Sequence, residues 1–270
     1  MRVPVAEGVA WFKACAPVQA FEPRLSAELF ARWPDRVGEV LAHDEERAWL
    51  LLADAGTPVA VYGNPPEAWL QALPRYAELQ RGETAQAGDH LARGVPDLRL
   101  AALPIRYEQL LARDLPLDAD ELADLHALAP TFAALCDELA GCGVPDTIQH
   151  DDLHMANLYE RNGLLRVLDW GDASVAHPFF SLVVTFRFLE ERTGLPHGDP
   201  WFSRLRDAYL EPWGRGLDGT FALALRVGWM AHACAWARQR DYLPEGARAE
   251  HDPWFAHVLR RALAFVRSPL

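Results

Sequence analysis

Residues 150–157 read His-Asp-Asp-Leu-His-Met-Ala-Asn, and Leu168-Asp169-Trp170 begins eleven residues after Asn157. This stretch places carboxylate and amide oxygens on one loop and a further carboxylate at the end of the next short strand. Oxygen donors of this kind suit a hard divalent cation such as Mg²⁺ rather than a thiolate-seeking metal. The spacing also separates two roles. Asp152 is placed to take a proton from an attacking hydroxyl, and Asn157 with Asp169 to hold a metal on nucleotide phosphates. Thr147–Gln149, Asn157–Tyr159 and Leu164–Leu168 are short β-prone runs, and Arg161-Asn162-Gly163 separates the last two. Asn-Gly is a strong hairpin signal because both residues tolerate positive φ. The hairpin brings Asn157 and Asp169 to the same end.

With these residues in hand, the chain resembles the aminoglycoside phosphotransferase and choline kinase-like group. Its catalytic loop reads His-Gly-Asp-Leu-His-x-x-Asn and its metal motif Ile-Asp-Trp. The likeness runs from about Trp11 to about Leu189 and is weaker in the C-terminal helices. The resemblance implies an α+β, protein kinase-like fold of two lobes. Residues 1–55 form a shortened N-terminal lobe, and residues 56–270 a mostly helical C-terminal lobe carrying the loop and the Asp-Trp motif. It implies that Asp152 is the catalytic base, that His150 braces the loop, and that Asn157 and Asp169 are Mg²⁺ ligands. ATP is the implied phosphate donor, and a small-molecule hydroxyl the acceptor.

The N-terminal half fits that resemblance. Arg2–Val5 and Val9–Cys15 read as strands joined at Ala6-Glu7-Gly8, with Lys13 in the second. Residues 22–33 read as a helix, with Pro23 tolerated in the first turn and Leu25, Leu29 and Trp33 on one face. Val37–Leu41 and Ala48–Leu52 read as two further strands. In the resemblance Lys13 contacts the nucleotide phosphates and Glu22 orients it, with Glu28 as the alternative partner. The backbone of Leu52, Ala53, Asp54 and Ala55 forms a hinge that binds adenine. Lys13 is the only lysine in the chain. A compact ammonium is therefore wanted at this one position, where every other basic side chain is a forked guanidinium.

After the hinge the pattern turns helical. A helix opens at Pro65-Pro66-Glu67 and runs to about Leu79, residues 81–103 are loop-rich, and Asp118–Ala140 is a long amphipathic helix stopped by Gly141. Further helices are expected from Pro178 to about Arg192, and over 199–210, 220–239 and 251–266. His232 reads as a satisfied core histidine.

Departures from the family pattern set further expectations. Only twelve residues precede Lys13, so the N-terminal lobe is expected to lack its first strand and phosphate-covering loop and to bind nucleotide weakly. The family's Asp-Pro-x-x-Asp-Leu appears here as His177-Pro178-Phe179-Phe180-Ser181-Leu182, with uncharged Ser181 where a carboxylate would brace the loop. Asp151 replaces the loop glycine. These differences set the chain apart from the best-known antibiotic-modifying members.

Composition narrows the partners. The formal net charge of −12 argues against nucleic acid or an anionic membrane, both of which require basic patches. It is compatible with a cationic acceptor such as an amino sugar or amino alcohol. Cys15, Cys136, Cys142 and Cys234 form no Cys-x-x-Cys pair and read as reduced packing residues of a cytoplasmic protein. Two rival readings stand beside the kinase: a kinase-like binding protein with little catalysis, and a metal-dependent hydrolase using His150, Asp152 and His154, which alternate with period two.

Overall fold

The computed structural model describes residues 1–5, 8–196 and 198–267. Arg2–Val5 (β1) and Gly8–Ala14 (β2) pair antiparallel, with Val5 opposite Gly8. Ala6 and Glu7, two residues of the expected turn, lie outside the described residues. Glu22–Arg32 forms α1, with Pro23 in its first turn and Leu25 and Leu29 buried. Val40–Asp44 (β3) and Trp49–Ala53 (β4) complete a four-stranded sheet of order β1-β2-β4-β3. The strand expected at Val37–Leu41 thus begins three residues later, at Val40. Val37 is buried against the other lobe instead, in an isolated bridge to Val167. Its apolar side chain serves the junction between lobes, which local β-propensity does not distinguish from strand burial.

The chain leaves this sheet through Gly56, whose φ of +93° suits glycine and where a Cβ would meet the Glu160 carbonyl at 2.2 Å. Thr57–Pro58 (β5) follows, then Pro66–Glu83 (α2), Ala87–Ala92 (α3), Asp97–Leu98 (β6), Leu103–Leu111 (α4) and Ala119–Gly141 (α5). Asp118 and Glu121 form a reciprocal capping box at the start of α5, satisfying two otherwise orphaned N–H groups. The expected loop-rich stretch 81–103 is largely helical, because α2 extends to Glu83 and α3 follows. The cause is tertiary. Glu83 is fully buried and takes a bidentate Arg32 guanidinium at 2.7 Å on both oxygens, the Trp33 indole at 2.7 Å and His90 Nε2 at 2.8 Å. Burial works against the Glu83 carboxylate, but these donors outweigh it and hold its pKa down to about 2.

Glu83 therefore stabilises the fold above the usual unfolded carboxylate pKa, and that contribution fades as pH falls from there through about 2. Glu83→Gln leaves one acceptor oxygen where two serve the buried end of this network, so donors from Trp33, His90 and the partly exposed Arg32 lose their charged partner. Urea unfolding at neutral pH is expected to show a loss of about 2 kcal/mol.

Thr147–Gln149 (β7), Leu158–Arg161 (β8), Leu164–Val167 (β9) and Ser174–Ala176 (β10) surround the opening motif. β8 and β9 form the expected hairpin, with Asn162 and Gly163 at φ 55° and 76° in its turn. β5 pairs with β8, and β10 lies between β6 and β7. Ser181–Thr193 (α6), Pro200–Leu210 (α7), Asp218–Asp241 (α8) and Glu245–Arg267 (α9) finish the chain. α8 is buried on most faces, including Val227, Met230, Ala233 and Ala237, and forms the spine against which the C-terminal lobe packs. Among the described residues no helix is long and apolar enough to cross a membrane. All four cysteines are free. Cys136 and Cys234 pack in the interior, whereas Cys142 is exposed, with its Sγ on the Glu138 carbonyl at 3.6 Å.

Candidate active site

Lys13 on β2 extends into the cleft between the lobes. Its Nζ lies 2.6 Å from Glu22 Oε2 and 2.6 Å from Asp169 Oδ1. Burial opposes the ammonium, but the two carboxylates outweigh it and hold the Lys13 pKa above that of a free lysine. Glu22 is almost wholly buried and is further contacted by Cys15 Sγ at 3.3 Å. Glu28, the alternative partner, is turned to Arg24 and Arg93. Above this cluster lies a cavity of about 640 Å³, lined by Lys13, the hinge residues 52–55, Asn157 and Asp169. Arg161 of β8 donates to the Asp54 carbonyl, tying the hairpin to the hinge.

The catalytic-loop residues are held by short local bonds. His150 is fully buried. Its Nε2 lies 2.8 Å from the Leu168 carbonyl, which only accepts, so Nε2 carries the proton and Nδ1 receives the Asp152 N–H at 3.3 Å. Burial holds the His150 pKa below the usual value, which favours this neutral form. Both ring nitrogens are therefore spent on bracing. The arrangement does not bring His150, Asp152 and His154 together as metal ligands. Among the described residues, no three His, Cys, Asp or Glu side chains group as a metal site.

Asp152 accepts two bonds on one oxygen. His154 Nε2 stands 3.2 Å and Asn157 Nδ2 3.1 Å from Oδ2. His154 Nδ1 takes the Ala156 N–H at 3.1 Å, which leaves the His154 proton on Nε2, facing Asp152. No donor among the described residues engages Asp152 Oδ1. Burial raises the Asp152 pKa, yet the His154 bond and the neighbouring imidazoles bring it below the usual aspartate value. The Asp152 carboxylate is thus ionised at neutral pH with one oxygen open. Asn157 also donates Nδ2 to the Asp152 carbonyl at 2.9 Å, while its own carbonyl receives the Leu168 N–H at 2.9 Å. Asn157 and Asp169 line the same cavity, and Asn157 Oδ1 has no hydrogen-bond partner among the described residues. Asp169 adopts the left-handed region at φ 64°, which Asp and Asn tolerate better than most residues.

The missing carboxylate at Ser181 is compensated by neutral groups. Ser181 Oγ meets Tyr76 Oη at 2.8 Å, and Tyr76 Oη receives the His150 N–H at 2.9 Å. Gln149 Oε1 receives the Asp151 N–H at 3.0 Å, and Thr185 Oγ1 binds the Leu153 carbonyl at 2.7 Å. The loop is braced by dipoles, each satisfied, which avoids the desolvation cost of a buried charge.

Asp151 stands at φ 59°, the backbone region a glycine would fill, and points at His232 Nδ1, 3.1 Å away. His232 Nε2 receives the Trp236 indole N–H at 3.1 Å. His232 is a satisfied, buried histidine, as its helix pattern suggests, but it also lines a small cavity of about 130 Å³ with Asp151, Asp152, Asp172, Trp236 and Gln239. This second cavity adjoins the base. Sequence reasoning misses Asp172, Trp236 and Gln239. Asp172 has a visible signal, three residues beyond Asp169, whereas Trp236 and Gln239 sit on a helix with no motif. Asp172 Oδ1 is bonded by Gln19 Nε2 at 3.1 Å and Gln239 Nε2 at 2.5 Å. Burial, together with the charges of Asp152, Asp151 and Asp169, pushes its pKa up to about 6.

Neither a family model nor a curated protein sequence matches the chain. Solved structures do. A choline kinase from Streptococcus pneumoniae superposes with a TM-score of 0.65 at 14% identity, over 97% of this chain and 88% of the other. A Plasmodium vivax ethanolamine kinase gives 0.65 at 13% identity, over 98% and 77%. An aminoglycoside phosphotransferase from Streptomyces rimosus, solved with ADP and streptomycin, gives 0.55 at 19%, over 85% and 92%. At such identities the likeness is one of architecture, and it covers nearly the whole chain. The protein therefore has the two-lobed, protein kinase-like fold shared by choline and ethanolamine kinases and the aminoglycoside phosphotransferases.

Proposed function

We propose that the protein is an ATP-dependent phosphotransferase acting on a hydroxyl of a small, amine-bearing molecule. One observation carries this reading: a Lys13–Glu22–Asp169 cluster faces one cavity, and Asp152, which lines a smaller acidic cavity, is bonded to Asn157 in the wall of the first. The first cavity has the hinge backbone, a cation and two oxygen ligands that a nucleotide triphosphate requires. Asn157 and Asp169 fit Mg²⁺, since both offer oxygen and Asn157 Oδ1 has no other bond. A bound Mg²⁺ supplies charge neutralisation on the phosphates.

Asp152 Oδ1 orients the acceptor hydroxyl and takes its proton as the oxygen bonds to phosphorus. Lys13, fixed by Glu22, neutralises charge on the departing nucleoside diphosphate. Little covalent help is needed, so positioning and charge dominate. The small cavity places three carboxylates and an indole around the acceptor, a setting that favours an ammonium group. Its size suits a compact head group. The choline and ethanolamine kinases among the structural neighbours carry amino alcohols in their names, which supports the same choice. A screen of amino alcohols and amino sugars for acceptor-dependent ADP release tests the proposal. Nucleotide binding without turnover on any hydroxyl would favour the non-catalytic reading.

A pH dependence follows. Asp172 is neutral below about pH 6 and ionised above it. Asp151, Asp152 and Asp169 surround it, with Arg238 nearby as the opposing charge. The KM for a cationic acceptor should therefore fall as pH rises through about 6, with kcat changing less. Asp172→Asn should remove that limb and raise KM about tenfold, the value of one lost charge-assisted contact. A pH-independent KM in the native protein would take Asp172 out of acceptor recognition.

A further inference from the structure

A separate cavity of about 490 Å³ opens between the segment 17–21, the connection 93–98, α4 and α8. Four guanidinium groups line it, those of Arg93, Arg106, Arg113 and Arg238. For a chain with 26 basic and 38 acidic residues this is an unexpected concentration of positive charge. Two of the four are already paired, Arg93 with Glu28 at 2.6 Å and Arg113 with Asp241 at 2.8 Å. The other two have only neutral acceptors. Arg106 donates to the Asp97 carbonyl and to Gln109 Oε1, both at 3.1 Å. Arg238 donates to the Val18 carbonyl at 2.7 Å. Neither has a carboxylate within ion-pair distance among the described residues. The one carboxylate in the lining, Asp97, is held by a bidentate Arg99 at 2.9 Å on each oxygen.

Withdrawing a guanidinium from water is costly unless a counter-charge meets it. Burial accordingly pulls the Arg238 pKa below its usual value, with Asp172 and Asp151 acting against that pull from the acceptor side. The walls between the arginines are apolar: Val18, Phe21, Pro96 and the Tyr242 ring. Planar donors around an apolar chamber match an oxyanion carried on an apolar body, because the guanidinium fork fits phosphate and carboxylate alike.

We propose that this cavity is a second binding site, for a small organic anion bearing a phosphate or carboxylate on an apolar body. It lies apart from the nucleotide cavity and shares no lining residue with it. It is nevertheless joined to the acceptor pocket. Val18 and Arg238, which are bonded across it, are the chain neighbours of Gln19 and Gln239, the two donors to Asp172.

Calorimetry tests the site on the full chain, with ADP and Mg²⁺ in excess to fill the nucleotide cavity. Phenyl phosphate and benzoate are the probes, and their comparison tells which oxyanion is preferred. At least one probe should bind with one-to-one stoichiometry, and Arg106→Gln should weaken it about tenfold or more, the value of a charge-assisted contact. Arg106 sits half-buried on α4, so this change should leave the melting temperature nearly unaltered. Arg238→Gln should weaken binding as well, provided its circular dichroism matches that of the native chain. Lys13→Met should leave the probe affinity unaltered. The proposal is overturned if neither probe binds at millimolar concentration. It is equally overturned if binding survives Arg106→Gln, or is lost on Lys13→Met, which would assign it to the nucleotide cavity.

Discussion

Asp152→Asn is expected to lower turnover by about a hundredfold or more and to leave nucleotide affinity nearly unchanged. The reason lies in the two oxygens of one side chain. Oδ2 is committed to His154 and Asn157, at 3.2 and 3.1 Å, and no donor among the described residues engages Oδ1. An asparagine keeps the shape and can still accept those two bonds through its single oxygen. Its amide nitrogen then replaces Oδ1, and a donor stands where a proton must be received. Loss of a general base costs in the range of 10²–10⁴ in rate. In the proposed reading nucleotide binding rests on Lys13, Asp169 and the residues 52–55, none of which the substitution touches. Steady-state rates beside calorimetric ATP titration would check the split. Turnover within a few-fold of native in a folded variant would remove Asp152 from the base role.

Asp169→Asn is expected to abolish the Mg²⁺ dependence of nucleotide binding. In the native protein Asp169 is the charged member of the oxygen pair, and its neighbour Asn157 is neutral. An uncharged pair holds a hard cation poorly, since such ions favour carboxylates. Asparagine is preferable to alanine here because the position lies at φ 64°, which Asn adopts at lower cost than Ala. The substitution also removes one of the two carboxylates on Lys13, leaving Glu22 to orient it alone. ATP titrations with and without Mg²⁺ should differ by roughly a hundredfold in Kd in the native chain and coincide in the variant. A variant that retains the full Mg²⁺ effect would mean the cation is held elsewhere.

The legible parts of this protein share a property: their signal is local in sequence. The hairpin of β8 and β9 is written in Asn162-Gly163 and two flanking apolar runs. The capped start of α5 is written in Asp118 and Glu121. The loop residues Asp152 and Asn157 are five apart, and their mutual bond needs only that short span. Lys13 and Glu22 are nine residues apart, and it is the family resemblance of this strand-then-helix stretch that implies they meet. The helix ending at Glu83 was not legible, because its end is set by Arg32 and Trp33 some fifty residues earlier. The strand misplaced at Val37–Leu41 has the same origin, since Val37 is claimed by Val167 across the lobes.

The acceptor side shows the division most clearly. Sequence alone determines that Lys13, Asp152, Asn157 and Asp169 stand in the order the proposed site needs, because each is picked out by its residue type and its spacing to near neighbours. It also marks Asp151 as foreign to the glycine position. What Asp151 does there is decided by α8, which delivers His232 to it across 81 residues and brings Trp236 and Gln239 beside Asp172. The bracing of His150 by Tyr76 and Ser181 is decided in the same way, by α2 and α6 meeting behind the loop. Helix packing chooses its contacts by shape and burial over the whole chain, and a helix that is buried on most faces carries no periodic mark of which side meets the substrate.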